Sequence, residues 1–259
     1  GNYRIASRKW LTFDKVRIKG AGTNLTTLVA DSDMSGTVFT IGMTDSAMED
    51  LSIVTANPTF PSIFSFRRED GVQNCRFTRV SLTQSPQTIN DQSTGNILDF
   101  DHRSSGIYFT DCFFSDGAAA FLGSSDHFIF TRCDWVGHNS TDVISGNQAT
   151  EVSLIDNTGR NHSNTGSDNL RSSGRFFKSQ TGTSPPSKNI YIAGLVTTDL
   201  SPDVTNGNSG EDILFEHTDT KWYSQPSGWG SNWVSFATDV GSVDVGHTII
   251  IADGKGLGQ

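Results

Sequence analysis

Six short segments of this chain repeat one arrangement of apolar and polar positions. The segments begin at residues 107, 128, 152, 190, 213 and 243. The first and third residues of each are apolar, as in Ile107 and Phe109 or Phe128 and Phe130. Because alternate side chains of a strand point to the same face, the pattern predicts six β-strands that each bury these two positions.

The distances between the segments indicate how the strands are arranged. The starts are 21, 24, 38, 23 and 30 residues apart, and shorter matches occur at residues 51–54 and 72–77. Coils of about 20 residues that stack on one another, with longer loops where the step is larger, are typical of a β-helix. A β-sandwich is the alternative, but it does not predict the same residue class at the same offset. The sequence therefore predicts that Ile107, Phe128 and Val152 lie one above another.

The fifth residue of each segment is mostly polar, whereas the sixth is small or of medium size. We expect the fifth residue to point outward, which requires a corner of the chain between the third and sixth residues, since strict alternation would bury it. The fifth residues are Asp111, Arg132, Asp156, Gly194, His217 and His247.

Composition and charge exclude several classes of protein. The chain contains 26 Gly in 259 residues and only 18% charged residues, which excludes a coiled coil and a charged disordered tail. Its net charge of −9 argues against binding to nucleic acid. No run approaches the roughly 20 apolar residues that cross a bilayer, so membrane insertion is not expected.

Two further observations concern the cysteines and the first residues. Cys75, Cys112 and Cys133 each lie close to Phe or Trp, which predicts buried free thiols; a nucleophile or a metal ligand is the alternative. The chain begins Gly1-Asn2 without Met. We expect residues 1–259 to form a single β-helix domain from a longer or processed chain, with residues 221–259 as a C-terminal capping region.

The first coil and the later segments resemble a known family. Residues 16–23 (Val-Arg-Ile-Lys-Gly-Ala-Gly-Thr), followed by Thr26-Thr27-Leu28, and the repeated Phe-Thr-x-Cys-x-Phe/Trp segments are similar to the pectate-lyase superfamily. The resemblance covers roughly residues 10–255. It implies an all-β fold, a right-handed single-stranded parallel β-helix with loop excursions.

Within that superfamily, this chain resembles phage tailspikes in its high content of Ser, Thr, Asn and Gly. This resemblance implies a homotrimer that binds, and usually cleaves, bacterial surface polysaccharide, outside the cell or on the virion surface, with no dissociable organic cofactor. From the residues themselves, no spacing of His and Glu predicts a metal site. The Asp-Gly-x-x-Asp-Asp-Thr segment that commonly opens such chains is absent from residues 1–10. The motifs of polygalacturonases and of calcium-dependent pectate lyases are also absent.

The row of fifth residues carries the first candidate chemistry. Stacked strands lie about 4.8 Å apart, so Asp111 and Asp156 are expected about 9–10 Å apart with Arg132 between them. Two carboxyl groups about 6.5–9.5 Å apart leave room for the water that an inverting glycosidase activates. One Asp is then the general acid and the other the base, while Arg132 holds a sugar carboxylate or keeps one Asp ionised. A surface ladder of charge pairs is the alternative.

Other polar and aromatic residues add to the candidate site. Glu216 and Asp219, around one strand, form a second acid/base group or a solvated strand edge. His102, Arg103 and His138 lie in loops beside the Asp111 and Arg132 segments, where they bind substrate or cap turns.

Three tryptophans fall within twelve residues near the end of the chain. Trp222, Trp229 and Trp233 lie in a segment with Pro and Gly that is predicted to be a loop. They either stack on sugar rings or cover the last coil of the solenoid.

The sequence predicts binding and hydrolytic cleavage of a bacterial surface polysaccharide by a tailspike-like glycoside hydrolase. Two alternatives stay open. A polysaccharide lyase of the pectate-lyase type would use Asp111 as the base and Arg132 to neutralise a uronate. A non-catalytic glycan-binding adhesin or structural stalk would leave the glycan intact.

Overall fold

The structure is a computed structural model that describes sixteen stretches of the chain. These are residues 1–32, 37–55, 62–67, 71–84, 96–100, 103–115, 120–123, 125–136, 142–146, 148–160, 175–179, 188–197, 211–216, 219–220, 226–229 and 234–236. The segment predicted at residue 243 lies outside them, as do His217 and His247.

Every secondary-structure element in the described stretches is a β-strand. In chain order the strands are β1 (Asn2–Ile5), β2 (Lys9–Leu11), β3 (Arg17–Lys19), β4 (Thr27–Ala30), β5 (Phe39–Ile41), β6 (Ala47–Thr55), β7 (Ser62–Phe66), β8 (Val72–Gln84), β9 (Asn96–Phe100), β10 (Ser104–Thr110), β11 (Phe113–Ser115), β12 (Ala120–Leu122), β13 (Asp126–Thr131), β14 (Asp134–Val136), β15 (Asp142–Gly146), β16 (Thr150–Ile155), β17 (Thr158–Arg160), β18 (Arg175–Ser179), β19 (Lys188–Ala193), β20 (Val196–Thr197), β21 (Glu211–Glu216), β22 (Asp219–Thr220), β23 (Pro226–Trp229) and β24 (Val234–Phe236).

The chain divides into two compact units, residues 1–223 and 224–259. In the first unit every strand pair is parallel, and each strand pairs with its counterpart in the preceding or following coil. The second unit contains β23 and β24, which pair antiparallel. The prediction of one domain with residues 221–259 as a cap stays a prediction.

The strands of the first unit form three stacks, which we call the first, second and third faces. β6 and β8 run through the corner between the first and second faces, so these two faces share one sheet. The first face contains β3, β10, β13, β16, β19, β21 and the first halves of β6 and β8. The second face contains β1, β4, β11, β14, β17, β20, β22 and the second halves of β6 and β8. The third face is a separate sheet of β2, β5, β7, β9, β12, β15 and β18.

The predicted register is confirmed. Ile107 pairs with Phe128, which pairs with Val152, and the series continues to Ile190 and Ile213. Three faces of parallel strands in register define an all-β parallel β-helix, as predicted. Connections between parallel strands are right-handed in nearly all proteins, and we assign that hand to this solenoid.

Inward residues of neighbouring coils form continuous stacks. The ring of Phe109 lies parallel to those of Phe77 and Phe130, with centroids 4.6 and 5.0 Å away. On the second face, Phe114 stacks on Trp135 at 4.1 Å. Because one inward position recurs every coil, a Phe at that position meets a Phe above and below, which adds ring stacking to simple burial.

Three sequence predictions need correction. The two shorter matches, at residues 51–54 and 72–77, do not begin at the position where the six segments begin. Leu51 lies in the second face beside Val80, and Cys75 rather than Val72 pairs with Ile107. The largest step, between the segments at residues 152 and 190, was expected to contain a longer loop, but it contains β18, which pairs with β15. The tryptophan-rich stretch contains the β23–β24 hairpin. Strands of three to five residues are too short to show a period in the sequence.

Candidate functional site

The outer surface of the first face is bordered by two rows of residues with left-handed backbone. The row at the exit of each strand, which we call the corner row, has φ between 51° and 61°. Its members are Asp50, Arg79, Asp111, Arg132, Asp156 and Gly194. The row at the entry, with φ between 51° and 68°, is Lys15, Asp45, Asn74, Gly106, His127, Glu151 and Asn189.

The corner row confirms the predicted corner. Phe109, the third residue of its segment, is buried, and so is Cys112, the sixth, while Asp111 between them is exposed. A left-handed residue reverses the direction in which the next side chain points, so both Phe109 and Cys112 can face the core. Each coil repeats the same turn, which places the polar fifth residues in one exposed column.

Within this column Arg132 pairs with Asp111. Its Nε and Nη2 lie 2.7 and 3.1 Å from the two carboxylate oxygens, a bidentate arrangement. The hydrogen bonds to Asp111 raise the pKa of the Arg132 guanidinium, and the charges of Asp111 and Asp156 act in the same direction. Both partners are substantially exposed, so the pair contributes little to stability.

Asp156 lies one coil beyond Arg132 and makes no ion pair with a described residue. Its neighbour in the next coil is Gly194, at a φ of 61°. A Cβ built on Gly194 would come within 2.2 Å of the Asp156 Oδ1. The carboxylate of Asp156 therefore extends over the glycine, in space that any other residue at position 194 would occupy.

A second charged group lies nearer the start of the solenoid. Arg17 binds Glu49 through two hydrogen bonds, and Arg79 binds Asp50 at 2.6 and 3.1 Å. Lys19 Nζ is 3.8 Å from Glu49 and 3.7 Å from Asp50. Three cations thus surround two carboxylates whose side chains are only 11% and 17% exposed.

These contacts predict an acid-sensitive stability. The hydrogen bond from Arg17 is the main cause that lowers the pKa of Glu49, and the hydrogen bond from Arg79 does the same for Asp50, while burial opposes both shifts. A carboxyl pKa that is lower in the folded state stabilises the fold above the unfolded pKa of about 4. We expect that stabilisation to be lost as the pH falls from about 4 through the folded pKa values.

The measurement is the melting temperature against pH for the wild type and for the Glu49→Gln/Asp50→Asn variant. The variant should be less stable at pH 7 and should lose less stability on acidification. Asp126→Asn is the matched control, because Asp126 is exposed and makes no ion pair with a described residue. Parallel curves for the wild type and the double variant would contradict the prediction.

A cluster on the first face was not predicted from the sequence. The guanidinium carbon of Arg76 lies 5.1 Å from the Tyr108 ring centre, and the rings of Tyr108 and His127 are 5.9 Å apart. His127 Nδ1 lies 3.1 Å from Glu151 Oε2. The register of the coils brings these residues together. The cluster could have been predicted from the sequence only if the residues of the entry row had first been aligned with one another. Tyr108 itself is half-buried.

The other predicted site residues are described only in part. Arg103 is exposed, and its carbonyl oxygen would lie 2.3 Å from a Cβ on Gly71. The backbones of Glu216 and Asp219 pair with Ala193 and Val196, and that of Trp229 pairs with Val234. The remaining four residues, His102, His138, Trp222 and Trp233, lie outside the described residues.

The predicted burial of the thiols is confirmed. Cys75, Cys112 and Cys133 are free and buried, and burial raises the pKa of the Cys133 thiol. Such a thiol is a poor nucleophile.

Within the part of the chain that the structure describes, no three His, Cys, Asp or Glu side chains are grouped so as to hold a metal ion. The described stretches also contain no helix long and apolar enough to span a bilayer.

No protein-family profile matches the chain, and no curated protein matches it. Among solved structures it is similar to a pectin methylesterase in complex with a hexasaccharide, with 13% identity over 87% of this chain and 71% of the other, at a TM-score of 0.48. It is also similar to endo-xylogalacturonan hydrolase from Aspergillus tubingensis, with 12% identity, coverage of 86% and 83%, and a TM-score of 0.49. A third is the catalytic domain of a GH87 alpha-1,3-glucanase, with 16% identity, coverage of 91% and 43%, and a TM-score of 0.39. All three scores are below 0.5, so the fold assignment rests on the strand registers of this chain.

Proposed function

We propose that this chain binds a polysaccharide along the outer surface of the first face and cleaves it by hydrolysis, with Asp111 and Asp156 as the catalytic carboxylates. The observation that carries the proposal is the position of Asp156. Its carboxylate is exposed, makes no ion pair with a described residue and extends over Gly194. It lies two coils from Asp111.

The spacing of the two carboxylates suits an inverting hydrolysis. Two strand spacings give about 9–10 Å between the Asp111 and Asp156 backbones, and an inverting glycosidase holds its two carboxyl groups about 6.5–9.5 Å apart to leave room for a water. Asp156 acts as the general acid on the leaving oxygen, and Asp111 as the general base on the water. Arg132, bound to Asp111, fixes the direction of that carboxylate.

The pairing of Arg132 favours hydrolysis over elimination. A lyase needs a cation that neutralises the uronate carboxylate while a base removes the neighbouring proton. Two donors of Arg132 are already bound to Asp111, so its charge is compensated before any substrate arrives. A water-activating carboxylate needs no such free cation.

The resemblance to the pectate-lyase superfamily and to tailspikes supports the finer parts of the proposal. The substrate is a bacterial surface polysaccharide, and the chain acts as a homotrimer outside the cell or on a virion. Glu216 and Asp219 form a further acid/base group. As further substrate-binding residues we assign His102, Arg103, His138, Trp222, Trp229 and Trp233.

The test is incubation with a panel of bacterial capsules and O-antigens, followed by sizing of the products. Shorter chains with new reducing ends and no new ultraviolet absorbance are expected from at least one glycan. Absorbance from an unsaturated sugar would contradict hydrolysis and assign the activity to a lyase. Binding without any change in size across the panel would contradict cleavage.

A non-catalytic binding or stalk function is the second candidate. Arg79 and Asp50 lie three and four coils before Asp156, and they repeat the bidentate geometry of Arg132 and Asp111. Charge pairing is therefore a general property of this corner. If this second candidate is correct, the charge pairs of the corner row only fix the positions of surface side chains. No substitution in the corner row then changes the size of a glycan.

A further inference from the structure

One arginine on the outer surface of the first face differs from the others near it. Arg17, Arg79 and Arg132 each make two hydrogen bonds to a carboxylate. Arg76 is exposed and makes no ion pair with a described residue. No described carboxylate therefore compensates the charge of Arg76, and its guanidinium donors are available to an anion.

The neighbours of Arg76 support its side chain without covering it. In the first face, Arg76 pairs with Ala47 of the preceding coil and with Tyr108 of the following coil. Its guanidinium carbon lies 5.1 Å from the centre of the Tyr108 ring. A guanidinium stacked on an aromatic ring keeps the donors at its edge free, and it loses less side-chain freedom when it binds an anion.

The carboxylates of the entry row beside Arg76 have other partners. Glu151 Oε2 lies 3.1 Å from His127 Nδ1. Asp45 Oδ1 accepts a hydrogen bond of 3.0 Å from the side-chain amide of Asn74. These contacts leave Arg76 as a cation that is exposed and held in place at this edge of the first face.

Arg76 lies on the same surface as the proposed catalytic carboxylates but apart from them. The strand that contains Arg76, β8, precedes the strand that leads to Asp111 by one coil and the strand that leads to Asp156 by three. The midpoint between the two carboxylates is therefore two coils away, about 9–10 Å along the solenoid. Arg76 pairs with Tyr108, three residues before Asp111, which adds about 10 Å across the face. This separation exceeds one sugar ring.

The surroundings of the two carboxylates disfavour an anionic sugar at the point of cleavage. Asp111 and Asp156 are both exposed, and Arg132 between them already binds Asp111. The whole chain has a net charge of −9. A glycan with a charge on every sugar would bring like charges against this pair, and no described cation beside the pair is free to compensate them.

We propose that Arg76 binds an anionic substituent, a carboxylate or a phosphate, on a glycan whose cleaved sugar is neutral. The substrate is then a heteropolymer in which charged sugars or branches are separated by neutral sugars. It is not a polymer that is charged at every sugar. The position of the neutral sugar rests on the proposed cleavage by Asp111 and Asp156, whereas the binding of the anion by Arg76 does not.

The test measures the affinity of the intact chain for three groups of glycans by isothermal titration calorimetry. They are neutral glycans and anionic heteropolymers from the panel of capsules and O-antigens, and polygalacturonate as a polymer charged at every sugar. The tightest binding is expected from an anionic heteropolymer, by at least about tenfold, because a charged partner strengthens hydrogen bonds to a guanidinium. Added salt should weaken this binding.

A chemical change in the glycan that binds most tightly identifies the anion. Reduction of carboxyl groups to alcohols removes carboxylates and leaves phosphates, whereas cold hydrofluoric acid removes phosphate substituents and leaves uronate carboxylates. One of the two treatments should weaken binding to the wild type by at least about tenfold.

Variants locate the anion at Arg76. Arg76→Gln should bind the treated and the untreated glycan equally, at the lower affinity, because the two changes remove the same contact. Arg76→Lys, which keeps the charge but loses the planar fork, should lie between Arg76→Gln and the wild type. Arg8→Gln is the matched control, since Arg8 also stacks on a ring, that of Trp10 at 4.5 Å, but beside the third face. It should discriminate between the two glycans as the wild type does.

Several outcomes would overturn this proposal. They are binding of no glycan in the panel, tightest binding to a neutral glycan or to polygalacturonate, an affinity that neither treatment changes, and equal losses in Arg76→Gln and Arg8→Gln. The sizes of the products test the proposed hydrolysis separately. Anion-dependent binding without shortening would contradict cleavage and keep the Arg76 site. Cleavage that Arg76→Gln performs as the wild type does, at every glycan concentration, would keep the hydrolysis and contradict the Arg76 site.

Discussion

Replacing Asp156 by Asn is expected to slow cleavage of a responsive glycan by about 10²–10⁴-fold, the usual loss when an acid/base group is removed. Asn has nearly the same shape but cannot deliver or accept the proton. Asp156 is exposed and makes no ion pair with a described residue, so the substitution should leave the fold unchanged. The measurement is the release of reducing ends from the glycan, with the melting temperature recorded alongside.

Asp134→Asn is the matched control for this result. Asp134 belongs to the second face, two residues after Arg132, and accepts a hydrogen bond from the Thr158 hydroxyl at 2.5 Å. It should keep the wild-type rate. Full activity in Asp156→Asn, or equal losses in the two variants, would contradict the catalytic assignment. Asp111→Asn is less informative, because it also removes the ion pair with Arg132.

Replacing Phe109 by Ala is expected to destabilise the solenoid by about 3–5 kcal/mol, the range for loss of a buried aromatic ring. Phe109 is 1% exposed and stacks on Phe77 and Phe130 in the two neighbouring coils. Its removal opens a cavity between three coils and breaks the stack. Because no coil is stable alone, the substitution should also destabilise the coils that neighbour Phe109. Urea unfolding followed by circular dichroism measures the change.

Phe13→Ala is the control for the stability prediction. Phe13 is 55% exposed, so its truncation should cost little. Phe109→Leu, which keeps most of the buried volume, should lie between the two. A loss in Phe109→Ala no larger than that in Phe13→Ala would mean that the Phe stack does not stabilise the fold.

Much of the fold could be predicted because one pattern repeats along the chain. Ile107, Phe128 and Val152 occupy equal offsets, and their register follows from the need to bury them together. The third face could not be predicted in the same way. Phe39-Thr40-Ile41 and Phe64-Ser65-Phe66 also alternate, but three residues of alternation occur often by chance.

The candidate site could be predicted only in outline. The corner and its column of charges follow from the polar fifth residues. The cluster of Arg76, Tyr108, His127 and Glu151 does not, because its members come from four coils and two different rows. A sequence gives no direction for long side chains, which can reach either neighbouring coil.

The sequence alone determined that this chain winds into stacked coils, since the same inward residues at the same offsets can be buried together only in that way. The tertiary structure decided which charges meet. Arg132 reaches back to Asp111 and leaves Asp156 without an ion pair among the described residues, while Gly194 opens the space over which that carboxylate extends. The spacing of coils fixes which residues are neighbours, but the direction of each side chain depends on the backbone turn and on the volume beside it.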